Sequence, residues 1–529
     1  MKRNHFTLTA AVSTFLIGGV LLAGCSTAIE TPAVTSSVTA EISEANVDLN
    51  LGPVATEVLA ANANSTTTND DEWTLDGAVS IALDGSTATA DGDGDGDGVS
   101  VSGSTITITA AGTYVLSGQL DGQVVVDTDD EDVVALVLDG VGISNSTSAA
   151  IAVVNAEDVV VSLSGTNTLS STGDDADYNA ALFSDADLTI SGDGSLTVSS
   201  SVNDGITSHD DLVILSGDIM VTAGDDGLRG KDSLTIEGGT VTVDAGGDAL
   251  KSDNEEDETR GYVYIAGGTV DLTAADDGVQ AETDIVIAGG STTLAAADDG
   301  LKSEVNIVVS GGGTAVTNSY EGIESYYITI EGGVLAVNAS DDGINATSGT
   351  STTTDIGGIV EADDGAMVSI TGGDTTVNSA GDGIDSNGSM LVTGGMTTVF
   401  GSSEDREGAL DANGTIVVDG GTVLAVGMTF MATAPETSSA QGWVSASLEQ
   451  SYGADQTVQV LDSSGTVVAE FTSIKSFQSV VLSDAAITNG ETYTVTVNGD
   501  SAGTVTAGVA AAGSESAGGG APGGGASRP

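Results

Sequence analysis

Asp-Gly dipeptides recur at nearly fixed intervals along the sequence, and a second Asp often precedes them. Carboxylates repeated in this way could bind a hard cation such as Ca2+, which takes about six to eight oxygen ligands. The acidic residues that share one phase are Asp204, Asp226, Asp277, Asp299, Asp342 and Asp382, with Glu321 before Gly322 and Asp248 before Ala249 as variants.

A Gly-Gly dipeptide between two alternating strands, as in "LTIEGGTVTV", repeats with the same period. Its second glycine recurs at Gly239, Gly268, Gly290, Gly312, Gly333, Gly373, Gly395 and Gly421. The base step is about 22 residues, which is too short for a β-propeller blade and too long for the calcium-binding nonapeptide solenoid. One such unit cannot bury its apolar side alone, whereas stacked units can. The repeat therefore predicts an all-β parallel β-helix with about 22 residues per coil.

Composition supports this class of fold and narrows the choice of partner. Of the 529 residues, 40% are hydrophobic and 74 are Gly, which is typical of short strands joined by tight turns. The chain has 78 acidic and 10 basic residues and a formal net charge of -68. Because phosphate binding needs a basic surface, nucleic acid is excluded as a partner.

We expect a signal peptide at residues 1–24, which have a basic start and an apolar stretch and lead into the sequence Leu22-Ala23-Gly24-Cys25. This resembles the lipobox of bacterial lipoproteins. The resemblance implies that Cys25 carries lipid and anchors the protein to the cell envelope on the extracellular face. The alternative is an ordinary secretory signal in which the Cys is incidental.

The remaining chain divides into four segments. We expect a disordered tether at 25–70, a parallel β-helix at 71–435, a small antiparallel β module at 436–508 and a disordered Gly-rich tail at 509–529. The β module is predicted because "QTVQVLDSSGTVVAEF" and "ETYTVTVNG" lose the repeat but keep strand alternation.

Stacking would place equivalent carboxylates about 4.8 Å apart, where two of them repel by roughly 3.5 kcal/mol at an effective dielectric of about 20. Bound Ca2+ would offset this repulsion, and a solvated acidic face with splayed side chains is the alternative. The predicted calcium ligands are Asp225, Asp226, Asp248, Asp253, Asp276, Asp277, Asp298, Asp299, Glu304, Asp341 and Asp342.

Basic residues are scarce, and five of them lie between positions 229 and 302. Arg229, Lys251 and Lys302 share one phase, with Gln280 between the two lysines, so they should form one surface column. Cations beside carboxylates could hold a uronic-acid polysaccharide, or they could simply neutralise neighbouring Asp residues. The predicted ligand-binding residues are Arg229, Lys231, Lys251, Arg260, Tyr262, Lys302 and Tyr320, although tyrosines on strands also serve in packing.

Segments such as "DDGLRGKDSLTIEGGTVTV", "DDGVQAETDIVIAGG" and "GDGIDSNGSMLVTGG" resemble a bacterial carbohydrate-binding family typified by a clostridial cellulose- and pectin-binding surface protein. The resemblance covers residues 73 to 508. It implies a right-handed parallel β-helix similar to pectate lyases, bound calcium, and binding of acidic sugars and cellulose without catalysis. His209 in "TSHDD" stands where the pattern leads us to expect Lys, and the low aromatic content disfavours crystalline cellulose.

Three functions follow from these features. The leading one is calcium-dependent, non-catalytic binding of a uronic-acid or cellulosic polysaccharide by a lipid-anchored monomer. A calcium-dependent lyase is the second, with Lys231, Lys251 or Lys302 as the base that takes the proton next to a uronate carboxyl group. The third is a structural adhesin that acts as a spacer. The sequence predicts no catalytic residue.

Overall fold

The computed structural model of the chain describes residues 51–91, 98–349, 363–404, 407–511 and 515–516. Cys25 and the predicted signal peptide lie outside these residues, so lipidation stays a prediction. Within the part that is described, no helix combines the length and hydropathy that a membrane span requires.

The described chain is nearly all-β, as the sequence predicts, and most of its strands belong to three parallel ladders. Ladder one collects the first strand of each repeat. Its strands are Asp158–Ser164, Asp187–Gly192, Asp211–Ile214, Ser233–Ile236, Tyr262–Ile265, Asp284–Ile287, Asn306–Val309, Tyr327–Ile330, Met367–Ile370, Ser389–Val392 and Ile416–Val418.

Ladder two collects the strand that follows each Gly-Gly or equivalent turn. Its parallel strands are Thr166–Ser171, Ser195–Ser200, Asp218–Ala223, Thr240–Ala245, Thr269–Ala274, Ser291–Ala295, Gly313–Asn318, Val334–Ala339, Asp374–Ser379, Met396–Phe400 and Thr422–Gly427.

Ladder three is a separate sheet built from the short strands that follow the acidic turns. Its parallel strands are Thr105–Ile108, Gln123–Asp127, Ile151–Asn155, Ala180–Ser184, Asp204–Ser208, Leu228–Gly230, Leu250–Ser252, Val279–Ala281, Leu301–Ser303, Ile323–Ser325, Ile344–Ala346 and Ile384–Ser386. Val99–Ser102 adds to its first strand in antiparallel orientation.

The first repeats are built from longer strands. Val79–Gly85 pairs with Ala88–Asp91 in antiparallel and with Gly112–Asp121 in parallel orientation. Gly112–Asp121 continues onto Val134–Asn145, which contacts both ladder one and ladder two.

Alternation along each strand sends apolar side chains to a shared interior. In the segment "LTIEGGTVTV", the side chains of Leu234, Ile236, Val241 and Val243 are almost completely buried. Ladder partners repeat this pattern, so that Leu234 lies beside Leu212 and Val241 lies beside Ile219. One apolar cluster of this kind extends from Ile81 to Val481.

Two glycine positions permit the close approach of neighbouring repeats. Gly239, the second Gly of a Gly-Gly turn, has a φ of 84°, a left-handed conformation that disfavours other residues. Gly227, which follows Asp226, has no room for a side chain, because a Cβ there would lie 2.2 Å from Val243 Cγ1 and 2.6 Å from the Ala249 carbonyl oxygen. Packing against the neighbouring strands therefore explains the Gly of the Asp-Gly repeat at this position.

Residues 51–70 are ordered, which corrects the prediction of a disordered tether for this part of 25–70. The helix α1, Ala55–Ala61, packs Ala55 and Val58 against Val286 and Val308 on the outside of ladder one. Further along this segment, the Thr66 backbone N–H donates to Asp211 Oδ2 at 2.7 Å. Because the segment 51–70 covers the outside of ladder one, strands such as Ser233–Ile236 are buried on both faces. A single docked segment has no repeat partner, so periodicity could not reveal it.

Antiparallel strands follow the last parallel strands, in the region where we expect a small β module. Phe477–Ser483 pairs antiparallel with Thr422–Gly427, the last parallel strand of ladder two, and Trp443–Tyr452 pairs with Phe477–Ser483. The other strands of the module, Gln456–Leu461, Val467–Ser473, Thr492–Val497 and Asp500–Thr506, form a four-stranded antiparallel sheet. In the tail predicted to be disordered, the two-residue strand Glu515–Ser516 pairs with Thr433–Ala434.

Candidate functional site

The turns between ladder two and ladder three carry a column of acidic residues, which we call the acid column. It consists of Asp204, Asp226, Asp248, Asp277, Asp299, Glu321, Asp342 and Asp382. In pairs such as Asp276-Asp277, the first carboxylate is exposed and the second, which belongs to the column, is buried. The two members of a pair therefore differ in role.

Each Asp of the acid column accepts a backbone hydrogen bond from the next repeat, whereas Glu321 accepts one from the Asn345 side chain. Asp226 Oδ1 accepts the N–H of Asp248 at 2.9 Å, Asp248 Oδ1 accepts that of Asp277 at 2.9 Å, and Asp277 Oδ1 accepts that of Asp299 at 2.9 Å. The Gly227 N–H donates instead to the Asp248 carbonyl oxygen at 2.8 Å. The Asp side chain thus satisfies a buried N–H that would otherwise lack a partner, and a bond of this kind to a charged acceptor contributes about 1.5–3 kcal/mol.

Three residues after each member of the acid column, a second column runs along the outer face of ladder three. The strand register places Arg229 beside Lys251, Lys251 beside Gln280, and Gln280 beside Lys302, as predicted from the sequence. In the following repeats this position, which we call the +3 column, holds Glu324, Asn345 and Asp385. Its charge therefore changes from basic to acidic along the sheet.

The cations of the +3 column neutralise the acid column. Lys251 Nζ lies 2.7 Å from Asp248 Oδ2 and 3.2 Å from Asp226 Oδ2, so one ammonium bridges two repeats. Lys302 Nζ lies 2.8 Å from Asp299 Oδ2. For Lys251 and Lys302, burial lowers the pKa, but the hydrogen bonds and charges of the partner Asp residues outweigh it, so both pKa values are raised.

Burial raises the pKa of several column carboxyls because it disfavours the charged form. Burial and the charge of Asp226 raise the pKa of Asp204 to about 7. Burial also raises the pKa of Asp277 to about 7, against the hydrogen bond from Asp299 and the charge of Lys302. Burial raises the pKa of Glu321 and of Asp382 to about 9, in the repeats whose +3 residues are Glu324 and Asp385. It raises the pKa of Asp342, whose +3 residue is Asn345, to about 6.

Three groups of carboxylates could hold a metal ion, because in each group oxygens lie within 4.8 Å of one another. The groups, found within the described residues, are Asp204 with Asp225 and Asp226, Asp248 with Asp276 and Asp277, and Asp277 with Asp298 and Asp299. The last two groups share Asp277. Seven of the predicted calcium ligands are therefore brought together in threes.

The other predicted calcium ligands lie outside these groups. Asp253 accepts two hydrogen bonds from Arg229, at 3.2 Å and 2.6 Å, and so neutralises that guanidinium. Asp342 Oδ1 accepts the Asp382 N–H at 2.6 Å, and its partner Asp341 is half-buried. Glu304 lies in the turn after the strand Leu301–Ser303.

Asp204 belongs to a carboxylate group but was not among the predicted ligands. Its sequence signal was available, since Asp204-Gly205 shares the phase of the other Asp-Gly pairs. Asp204 was missed because Asn203 precedes it, whereas most of the predicted ligands were chosen from Asp-Asp pairs. The acidic neighbours Asp225 and Asp226 come from the next repeat, so their proximity depends on stacking.

Gln280 is the one neutral residue between the two lysines of the +3 column, and it follows Asp277. Its Oε1 atom is buried and has no hydrogen-bond partner among the described residues. In the repeat of Asp277, the neutral side chain of Gln280 therefore stands where Asp248 and Asp299 each have a lysine ammonium group.

The remaining predicted ligand-binding residues are dispersed. Arg260 forms an ion pair with Asp232. Tyr262 is 4% exposed and donates from its hydroxyl to the Ala63 carbonyl oxygen at 2.8 Å, which favours packing over sugar stacking. Tyr320 is 48% exposed, and a hydrogen bond to Asp341 raises its pKa to about 12. The Lys231 backbone N–H donates to the Ser208 carbonyl oxygen at 3.0 Å, in the turn beside the +3 column.

Comparison with known proteins places this architecture in a family. The family described as "Carbohydrate-binding domain-containing protein" matches residues 102–365 and 295–428, which together span more than half of the chain. The chain belongs to this family. Its matched region contains ladder three from Thr105 to Ser386 and all three carboxylate groups.

A relative within the carbohydrate-binding domain family comes from Acetivibrio thermocellus. It carries the same description and is 40% identical over 126 residues, which cover 21% of this chain and 43% of the relative. The chain thus spans less than half the length of that relative. A solved structure, "Structure of the polysaccharide lyase-like protein from C. thermocellum, Gadolinium derivative", is 36% identical, with a TM-score of 0.37, and the match covers 45% of this chain and 94% of that chain.

Proposed function

We propose that this protein binds an acidic polysaccharide, without cleaving it, through Ca2+ held at the corner between ladders two and three. Membership of the carbohydrate-binding domain family supports a carbohydrate partner. The observation that carries the finer proposal is the pair of carboxylate groups that share Asp277, lying between Lys251 and Lys302.

Calcium is the cation that best suits this corner. Carboxylate, carbonyl and amide oxygens are its preferred ligands. The groups Asp248–Asp276–Asp277 and Asp277–Asp298–Asp299 offer carboxylates, and Gln280 offers a buried oxygen without a partner among the described residues. An ammonium group satisfies the equivalent Asp in the repeats before and after. A cation at Asp277 would fill the corresponding role there.

The net charge of the protein favours a bridging cation for an acidic ligand. With a formal net charge of -68, the surface repels a uronate carboxylate. Lys251 and Lys302 are already paired with Asp residues, so they supply less free positive charge than their number indicates. Calcium with open coordination positions could accept a ligand carboxylate at the same time as protein oxygens.

The ion pairs of two of the three candidate lysines argue against these two as the base of a lyase. A general base must be deprotonated near the working pH. The raised pKa values of Lys251 and Lys302 keep both side chains protonated. Incubation with polygalacturonate in Ca2+ should give no ultraviolet absorbance from unsaturated uronate, and such a signal would replace the binding proposal with a lyase.

The proposed architecture is a right-handed parallel β-helix with about 22 residues per coil. Two observations support it. In each repeat the chain forms a strand of ladder three, then of ladder one, then of ladder two, and equivalent residues of successive repeats, such as Leu212 and Leu234, are paired in register. A crystal structure phased from selenomethionine would test both the closure and the handedness of the coils.

We further propose that the protein is a monomer anchored by lipid on Cys25 at the extracellular face of the cell envelope. The lipobox-like sequence Leu22-Ala23-Gly24-Cys25 supports this. Expression in a bacterial host with labelled palmitate should give a labelled, membrane-associated protein, and Cys25→Ser should release it unlabelled. Labelling of both proteins, or of neither, would refute the anchor.

Calorimetric titration of the purified protein with hexagalacturonate tests the function directly. We expect binding in Ca2+ and loss of binding in EDTA. Asp276→Asn, which alters an exposed member of one carboxylate group, should weaken both calcium and glycan binding by about tenfold. Asp271→Asn alters an exposed Asp of the nearby ladder-two strand and serves as the matched control. Equal binding in Ca2+ and EDTA would reject the calcium bridge, and no binding in either would favour a spacer.

A further inference from the structure

An open cleft of 510 Å3 lies several repeats before the carboxylate groups. Its volume falls in the range of about 300–1,000 Å3 that is usual for small-ligand sites. The residues that line it are Ser104, Asp121, Gly122, Ser144, Asn145, Ser146, Thr147, Ser170 and Thr172.

The lining has an unusual chemical composition for a ligand cleft. It offers serine and threonine hydroxyls, one amide, one carboxylate and backbone groups, and no aromatic or basic side chain is part of it. Most small-ligand sites are largely apolar. A lining of this kind suits a ligand whose surface is itself covered with hydroxyl groups.

The walls are fixed by internal hydrogen bonds. Asn145 Oδ1 accepts the backbone N–H groups of Thr147 and Ser148 at 3.0 Å and 3.3 Å, and Asn145 Nδ2 donates to the Ala149 carbonyl oxygen at 2.9 Å. Ser144 Oγ donates to Asp121 Oδ1 at 2.9 Å. The polar groups are therefore held in place before a ligand arrives, which reduces the entropy lost on binding.

Asp121 provides the strongest hydrogen-bond acceptor of the cleft. The side chain is exposed, and within the described residues its Oδ2 atom has no hydrogen-bond or ion-pair partner. A carboxylate accepts hydrogen bonds from hydroxyl donors and repels other carboxylates. It therefore selects an uncharged polyhydroxylated ligand over a uronate.

We propose that this cleft is a binding site for neutral saccharides, separate from the calcium-dependent site for acidic glycans. The proposal rests on the carbohydrate-binding role proposed above and assigns uncharged glycans to a site of their own.

The cleft lies on the same corner of the fold as the carboxylate groups. Ser171 is in register with Ser200, and Ser199 with Thr222, at the ends of ladder-two strands that lead into Asp225 and Asp226. A neutral stretch and an acidic stretch of one heteropolysaccharide could therefore contact the same corner.

The test is calorimetric titration of the full chain with cellohexaose, xylohexaose and mannohexaose in EDTA. At least one neutral oligosaccharide should bind, and calcium should not change its affinity. Asp121→Asn should weaken this binding about tenfold, because a charged acceptor is lost. Ser146→Trp, which places a large side chain in the cleft, should abolish it.

The matched control is Asp139→Asn. Asp139 is exposed and accepts a hydroxyl hydrogen bond from Ser164 at 3.0 Å, as Asp121 does from Ser144, but it does not line the cleft. It should leave the affinity unchanged within about twofold.

The proposal is overturned if none of the three oligosaccharides binds the unaltered protein, if both cleft variants bind normally, or if binding requires Ca2+. Hexagalacturonate in Ca2+ is measured in parallel on every variant. If the unaltered protein binds a neutral oligosaccharide but does not bind hexagalacturonate, the result counts against the acidic-glycan proposal alone.

Discussion

Asp226 and Asp248 are joined by a hydrogen bond of 2.9 Å, in which the backbone N–H of Asp248 donates to Asp226 Oδ1 across neighbouring repeats. The same bond links Asp248 to Asp277 and Asp277 to Asp299. These carboxylates are therefore structural whether or not a metal is bound. Calcium, where it binds, uses carboxylates that the fold has already positioned.

Removal of one column carboxylate should destabilise the fold. Asp248→Ala leaves the buried N–H of Asp277 without its acceptor and deprives Lys251 of its closer partner. We expect a loss of about 2–4 kcal/mol in the free energy of unfolding, measured by urea denaturation in EDTA. Asp276→Ala, at the exposed neighbour, should change it by less than about 0.5 kcal/mol. Similar losses for the two variants would show that the hydrogen bond is unimportant.

A lysine at position 280 should substitute for calcium. Gln280→Lys recreates the arrangement of Asp248 with Lys251 and of Asp299 with Lys302. In EDTA the variant should melt at a higher temperature than the unaltered protein, because an ammonium group would neutralise Asp277. Addition of Ca2+ should then stabilise it less than it stabilises the unaltered protein. Gln280→Met, which adds no charge, is the control. Unchanged calcium stabilisation in the lysine variant would place the metal elsewhere.

Stability without metal should fall as the pH rises. Burial and the charges of Asp342, Asp385 and Asp411 raise the pKa of Asp382 to about 9, so the folded state binds a proton that the unfolded state has released. The stabilisation from this group is complete below about pH 4, its unfolded pKa, and is lost progressively as the pH rises through about 9.

The variant Asp382→Asn isolates this effect. It should raise the melting temperature at pH 8 in EDTA and change it little at pH 4.5. Asp374→Asn, at a half-exposed residue of ladder two, should shift the melting temperature equally at the two pH values. If the melting temperatures of Asp382→Asn and the unaltered protein fell equally between pH 4.5 and pH 8, Asp382 would not be the group responsible.

The docked segment 51–70 should detach when the packing of α1 is disturbed. Val58→Asp places a charge against Val286 and Val308, where it is buried without a partner. Limited proteolysis should then cut within 51–70 at least about tenfold faster, while the ladders stay intact. Ala60→Asp, on the exposed side of the same helix, should leave the rate unchanged. Equal rates for both variants would mean that the helix is not held by this contact.

Sequence periodicity was sufficient for the strands and for the column of Arg229, Lys251, Gln280 and Lys302, because stacking converts a constant step into a constant position. It could not separate Asp225 from Asp226, since both are Asp and only the backbone turn decides which one is buried. Nor could it find the cleft around Asp121, whose walls come from serine and threonine residues in the least regular repeats.

The antiparallel strand Phe477–Ser483 lies directly on Thr422–Gly427, where the parallel ladder would otherwise present unpaired backbone groups. A stack of identical rungs with a free terminus is a template for the next molecule, and unprotected sheet edges of this kind lead to fibre formation. By reversing strand direction and adding Trp443–Tyr452 beyond it, the chain closes this end of ladder two to end-to-end growth.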